Sequence, residues 1–376
     1  MEVKLASDFT SNRLCDSWNE LLSRTTCANI QLTHEWLSTW WEVFGDNERL
    51  FLITVTDGSK IVGIAPLIIT KVISKAGFEL RKLTFVGDGL TDYHDLLIAN
   101  ERRKEVLQIF LTFIFKDKEN WDAVHFRNIR SDSPNLPILR DSLRDTSLTF
   151  TERINIKAPY ISIDCDWLKY YGALGKNIRS DMRRRLNCLA KMGKAEFVRL
   201  HEIDDVMNTL HIIKSIHVKC RQVKGEISWY TDEKRLRFVS LILERFGDRK
   251  WLDIVFLKLN DRIVAYYLGF VFGNVVYFWN TGFDPEFSRV SPGKLLLHHW
   301  IKDSFAAGYR EFDFMVGQEP YKFQWTNHIR SNYELFLFKN TARSHLLKCY
   351  YTCKPVLKKN PYIKKIGAGI KSRIKC

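Results

Sequence analysis

Two short stretches hold residue types whose spacing suits chemistry. In the first, Ser291-Pro292-Gly293-Lys294 stands between a strand-like run, Val275 to Gly282, and an apolar helical run. A serine there offers a side-chain acceptor as N-cap, proline fits the first helical turn, and glycine lets a ligand approach the backbone. Helix N-termini carry free N–H groups and the positive end of the dipole, so this spacing predicts a grip on phosphate. In the second, Glu319-Pro-Tyr321-Lys322 puts an acid, a phenol and an amine on a loop after the strand-like Glu311 to Met315. Polar loops at strand ends are frequent seats of proton transfer. Two more groups join them. The basic helix Lys176 to Met192 carries Arg179 and Arg183-Arg-Arg185, whose forks match phosphate or carboxylate, and Asp92-Tyr-His94-Asp95 sets an imidazole between two acids. Each also has a structural reading: a helix start, a surface loop, a solvated helix face and a satisfied polar cluster.

The elements that must position these residues follow from periodicity. Helical patterns cover Leu14 to Leu22, Glu35 to Phe44, Glu101 to Phe115 and Asn135 to Asp145, among strand-like runs at Leu50 to Thr56, Ile61 to Thr70, Lys82 to Val86, Asp95 to Ala99, Ala123 to Arg127 and Ser147 to Ile156. After about residue 160 come two helices, Lys176 to Met192 and Ile203 to Lys219. Three strands then alternate with the turn pairs Asn260-Asp261 and Gly273-Asn274, an antiparallel meander. A helix from Pro292 to Ala307, stopped by Gly308, and strands at Glu311 to Met315 and Glu334 to Lys339 complete the order. Strands interleaved with helices mean an α+β or α/β fold, and the loose recurrence of hairpin, strand, helix and strand suggests a duplication.

At 376 residues and 45% hydrophobic composition the chain has room for two cores. We divide it into residues 1–159, 160–345 and a tail, 346–376. No run of 18 apolar residues and no signal-peptide pattern is present, which predicts a cytoplasmic location. The eight cysteines are scattered without a C-x-x-C pair, so neither a metal site nor a disulfide framework is expected. Of the net +15, nine charges fall between Lys348 and Cys376, and most of the rest between Lys176 and Lys194. In the tail, Ile363, Ile366, Ile370 and Ile374 are spaced as one face of a short basic helix, suited to an anionic membrane surface and to peripheral attachment at the inner membrane.

The motifs together resemble the FemAB-like group of tandem GNAT-fold acyltransferases, in particular the branch around the cellulose-biosynthesis protein CelD. The residues that carry the likeness are Ser291-Pro292-Gly293, Gly308 with Asp313, and Gly317, Glu319, Tyr321 and Lys322, joined in the first half by Leu37-Ser-Thr-Trp-Trp41, Pro66-Leu67 and Asp92-Tyr-His-Asp-Leu96. The strict GNAT pyrophosphate signature is absent: Arg289 lies near its place, and Pro292 stands where a backbone N–H would be offered. The resemblance implies two GNAT-like halves, each a mixed, mostly antiparallel sheet flanked by helices. It implies a donor, acetyl-CoA or a longer acyl-CoA, on the splayed strand ending at Thr281-Gly282 and on Arg289, Ser291, Gly293 and Lys294. Asp313 and Glu319 are the candidate bases, Tyr321 and Lys322 their companions. His94, Asp95, Arg179 and Arg183 are the candidate acceptor contacts.

The expected activity is acyl transfer to a sugar, nucleotide-sugar or lipid-linked saccharide of the bacterial envelope or exopolysaccharide. Two alternatives remain. One is aminoacyl transfer from charged tRNA, the only reading that brings in a nucleic acid, and the other is a noncatalytic scaffold of a polysaccharide-synthesis complex.

Overall fold

The computed structural model describes residues 1–73, 79–117, 120–200, 203–345, 347, 348 and 351. The isoleucine face expected in the tail lies outside them. The first part of the chain forms β1 (Glu2–Ala6), α1 (Asn12–Ser23), α2 (His34–Phe44), β2 (Arg49–Asp57), β3 (Lys60–Ile73), β4 (Glu79–Phe85), β5 (Leu97–Ile98), α3 (Arg103–Lys116), β6 (Ala123–Arg130), α4 (Asn135–Arg144) and β7 (Thr149–Ser162). The second part forms α5 (Trp167–Ala173), α6 (Lys176–Ala190), β8 (Ala195–Leu200), α7 (Ile203–Val223), α8 (Glu233–Asp248), β9 (Leu252–Leu259), β10 (Arg262–Phe272), β11 (Val275–Phe283), α9 (Pro292–Ala306), β12 (Glu311–Asp313) and β13 (Ile329–Phe338).

Local chemistry fixes the tight turns. Asn260-Asp261 and Gly273-Asn274 all take positive φ, the two-residue primed turn that matches the twist of paired strands. Gly308 follows α9 at φ +70, where a side chain would be strained. There the Gly308 N–H bonds the Phe305 carbonyl and the Tyr309 N–H that of Ser304, so the last carbonyls of α9 are satisfied.

Among the described residues the strands join into one mixed sheet in the order β1-β2-β3-β4-β6-β13-β7-β12-β11-β10-β9-β8, with β5 on β3. The strand nearest the end of the chain is therefore internal. β13 lies antiparallel between β6 and β7, and β7 continues past it to pair Tyr160, Ile161 and Ser162 with β12. The division at residues 159 and 160 falls within β7, which both half-sheets share. Helix α2 reaches across to the second half: the fully buried Trp36 ring lies 5.2 Å from Phe238 of α8 and 5.5 Å from Trp279 of β11. Such aromatic contacts add specific geometry to a large apolar burial.

A charged knot lies at the seam. Arg330 of β13 is 7% exposed, pairing with Asp132 at 2.8 Å, Glu311 at 2.8 Å and Asp313 at 3.4 Å, with its guanidinium 4.1 Å from the Tyr160 ring centroid. Removing one partner of a buried ion cluster leaves the others uncompensated, at a typical cost of about 3–5 kcal/mol. Arg330→Ala should lose stability of that order in urea denaturation, and a loss under about 1 kcal/mol would show that the knot is not what joins the half-sheets.

Candidate functional site

β11 pairs with β12 only at Val275, Val276 and Tyr277, while on its other edge it stays paired with β10 as far as Phe283. The unpaired edge from Phe278 onward opens a gap, and a cleft of about 410 Å³ lies there. Its apolar lining includes Tyr267, Phe283 and Leu297, and its charged lining is Arg185, Arg221, Lys224 and Lys294. Thr281, Gly282, Ser291 and Gly293 also line it, so five of the six expected donor contacts come together. Arg289 does not: it stays exposed on the 3-10 turn Pro285–Val290.

Ser291 acts differently from the expected N-cap. It adopts φ 51, ψ 63 and makes no side-chain capping bond, and its hydroxyl accepts instead from the Arg185 guanidinium at 2.5 Å. The left-handed backbone turns the side chain toward α6, so the cap site holds a cation in place. Asp181 organises the same corner, accepting from Arg184 at 2.8 Å, Arg185 at 2.9 Å and Lys294 at 2.9 Å. Burial pushes the Asp181 carboxyl up, but these three donors outweigh it and hold the group well below the usual carboxylate range. The cations thus stand oriented before any ligand arrives.

The Tyr267 hydroxyl donates to the Gly293 carbonyl at 3.1 Å and ties the start of α9 to β10. A Cβ on Gly293 would meet Phe283 at 3.7 Å and Tyr267 at 3.8 Å, ordinary contacts, so the surrounding protein does not itself require glycine. What the missing side chain leaves open is the cleft. Cations, an apolar lining and this open backbone fit a phosphorylated thioester donor.

Tyr321 lines the same cleft, with its ring 6.4 Å from Phe278, and burial pushes its phenol far up, keeping it protonated. Lys322 is buried, donating to the Val316 carbonyl at 2.9 Å and pairing with Glu319 at 3.0 Å. Glu319 keeps half of its side chain exposed. Beside them stands a carboxylate from the other half, Asp92. It retains some open surface yet sits deep among protein atoms. Burial pushes its pKa up to about 7 against the pull of Lys322, with Asp313 and Glu319 adding to the rise.

Asp313 is brought near this group but not into the cleft. It is fully buried; Tyr93 donates to it at 2.7 Å, the Met315 N–H at 2.7 Å and Arg330 at 3.4 Å, which leaves no path to an acceptor. His94 and Asp95 lie elsewhere, inside the first half. The His94 ring stacks on Phe85 at 5.2 Å, and burial lowers its pKa to about 4. Asp95 accepts from Ser133, Asn135 and the Leu96 N–H. Both are 2% exposed and satisfy loop ends, so the structure does not give them a substrate to touch. Arg179 is half-buried on α6, and Arg183 faces outward with Arg184 and Lys191. The cleft also brings in Arg221 and Lys224, which no motif marked, and Arg185, the last of the Arg183-Arg-Arg185 run, while Asp92, the first of the Asp92-Tyr-His-Asp95 run, lies close to Lys322.

Among the described residues no group of His, Cys, Asp and Glu is placed to hold a metal ion, and no helix is long and apolar enough to cross a membrane. No curated protein matches the chain. Solved structures of like fold include FemX, at 12% identity and TM-score 0.64 over 94% of this chain and 99% of that one. L-PGS from Bacillus licheniformis matches at 12% identity and TM-score 0.55 over 95% and 99%. The C-terminal domain of an Agrobacterium fabrum protein assigned as a lysylphosphatidylglycerol synthetase matches at 10% identity and TM-score 0.55 over 90% and 96%. Residues 176–323, which contain α6, the β9–β12 strands and every residue lining the cleft except Gln324, match the family model described as Acetyltransferase (GNAT) domain. Residues 176–323 therefore carry a GNAT acetyltransferase domain, the part of the chain that marks it as an acyltransferase.

Proposed function

We propose that this protein transfers an acyl group from acetyl-CoA or a longer acyl-CoA to an amine or hydroxyl of a saccharide, nucleotide-sugar or lipid-linked saccharide used in the bacterial envelope or exopolysaccharide, as in the CelD-like branch. The observation that carries the reading is the junction at Tyr321: the cationic cleft at the β11–β12 gap runs to the loop where Lys322, Glu319 and Asp92 gather. The donor's phosphates fit against Lys294, Arg185 and Arg221, and its acyl end lies along the free edge of β11. An acyl-CoA supplies an activated thioester carbonyl there. Asp92 then takes the proton of the attacking amine or hydroxyl, Lys322 keeps the carboxylates oriented, and Tyr321 offers a hydrogen bond to the leaving sulfur. The work takes place on the cytoplasmic side, at or near the inner membrane. The name of the Agrobacterium relative, a lysylphosphatidylglycerol synthetase, supports an envelope substrate.

A second reading, aminoacyl transfer from charged tRNA, draws on the outward cations Arg183, Arg184 and Lys191, which suit a phosphate backbone. Thermal shift with acetyl-CoA and with tRNA separates the two, because only a ligand of the folded state raises the melting temperature.

Gly293→Val should fold with an unchanged melting temperature and lose about tenfold or more in acetyl-CoA affinity by calorimetry. Equal affinity would place the donor elsewhere. A base works deprotonated, so the wild-type rate should rise with pH through about 7, the range to which burial raises Asp92. In Asp92→Asn this ascending limb should vanish and kcat fall by about 10²- to 10⁴-fold, whereas Glu319→Gln keeps the limb. Persistence of the limb in Asp92→Asn assigns the proton transfer to another group.

A further inference from the structure

A second cavity, again about 410 Å³, opens between the α5–α6 junction, the end of β7 and the loop 323–328. It shares one wall residue with the donor cleft, Gln324. Helix α6 also runs along both: Ile178 lines this cavity and Arg185 the donor cleft, seven residues and roughly 10 Å apart at the rise of an α-helix. Neither His94, Asp95, Arg179 nor Arg183 is part of its lining.

The lining combines aromatic rings with short hydrogen-bonding groups. Tyr170, Phe323 and Trp325 supply the rings, and Asp164, Asn327 and His328 the polar ends. That mixture suits a pyranose, which presents C–H faces to rings and hydroxyls to carboxylate and amide. The wall is also incompletely satisfied. The Gln324 side-chain oxygen and the indole N–H of the 1% exposed Trp325 are buried without a protein partner. Buried polar groups in folded proteins are nearly always paired, so an orphaned acceptor and an orphaned donor on one loop point to a partner from outside the chain. Tyr170 fixes this loop, donating its hydroxyl to the Trp325 carbonyl at 2.5 Å.

We propose that this cavity is the saccharide acceptor site. The sugar stacks on the partly exposed rings of Tyr170 and Phe323, Asp164 and Asn327 take its hydroxyls, and its reacting group reaches past Gln324 to Tyr321 and Lys322. The assignment rests on the reading of the Gly293 cleft as the donor site. Position and chemistry agree: a polar acceptor enters from the α5–α6 side while the phosphorylated donor lies between α7 and α9, and the two meet at one loop.

The test is calorimetry on the full chain with glucosamine, N-acetylglucosamine and UDP-N-acetylglucosamine as probes, and with acetyl-CoA titrated separately. Asp164 and Asn327 are exposed at the rim, so Asp164→Ala and Asn327→Ala should fold normally. At least one sugar probe should bind the wild type, and each variant should bind it about tenfold or more weakly with acetyl-CoA affinity unchanged. Gly293→Val should show the reverse pattern. The proposal is overturned if no probe binds the wild type, if both rim variants bind as the wild type does, or if Gly293→Val abolishes sugar binding. If acetyl-CoA does not bind the wild type but sugar binding still depends on Asp164 and Asn327, the acceptor site stands and the donor reading falls.

Discussion

Everything at the cleft depends on where β12 stops. Asp313 is its last residue, and one carboxylate oxygen accepts the N–H of Met315 two positions on, a local turn that competes with strand continuation. Met315 itself takes a left-handed φ of 55°. The chain parts from β11 there, although the Phe314 and Gly317 N–H groups still bond the Pro159 and Lys157 carbonyls of β7, and β11 goes on without its neighbour, so the cleft occupies the place of an absent strand. A buried carboxylate is costly unless it is compensated, and Tyr93 and Arg330 supply the compensation from other elements. The group that opens the site is thus the group that joins the half-sheets. Stability and access share one side chain.

The division of labour between the halves follows from that seam. The second half supplies the cations and the open edge of β11, and the first half supplies Asp92 on the loop next to Tyr93. That loop is pinned by Gln31, whose side-chain amide oxygen accepts from the backbone N–H groups of Asp92 and Tyr93. A fixed backbone on one side and an organised set of cations on the other mean that little reorganisation remains when substrates arrive. Asp181 contributes by keeping Arg185 and Lys294 extended across the cleft, at the cost of drawing off part of their charge.

Much of the fold was legible because its signals are local. The turns at Asn260-Asp261 and Gly273-Asn274 state their own geometry, and the helix ended by Gly308 needs no tertiary help. Helix α8 was equally legible, with Asp232 capping Arg235 and Leu236, Val239, Leu243 and Phe246 at helical spacing, and sequence analysis passed over it. The order of the sheet was not legible, because pairing of β13 with β6 and β7 depends on residues far apart in the chain. The site divides in the same way. Ser291-Pro-Gly-Lys marks the cleft from sequence, but which hydroxyl partner Ser291 takes depends on Arg185, more than a hundred residues away. His94 and Asp95 look chemical in a linear reading, yet both are buried inside the first half, with the His94 Nδ1 on the Arg127 carbonyl and the Asp95 carboxylate on Ser133 and Asn135. Only the folded chain shows that Asp92 and Tyr93, and not His94 and Asp95, face the second half.

The position of β13 also governs how the molecule comes into being. During synthesis β6 and β7 emerge with a strand-wide vacancy between them, and the 166 residues between Ser162 and Ile329 must follow before the segment that fills it begins. Until then both facing edges are open to any extended chain, the usual invitation to mispairing. The first half therefore waits for the second, and its sheet is finished by a strand made after the acetyltransferase domain. Such long-range closure is intrinsically slow.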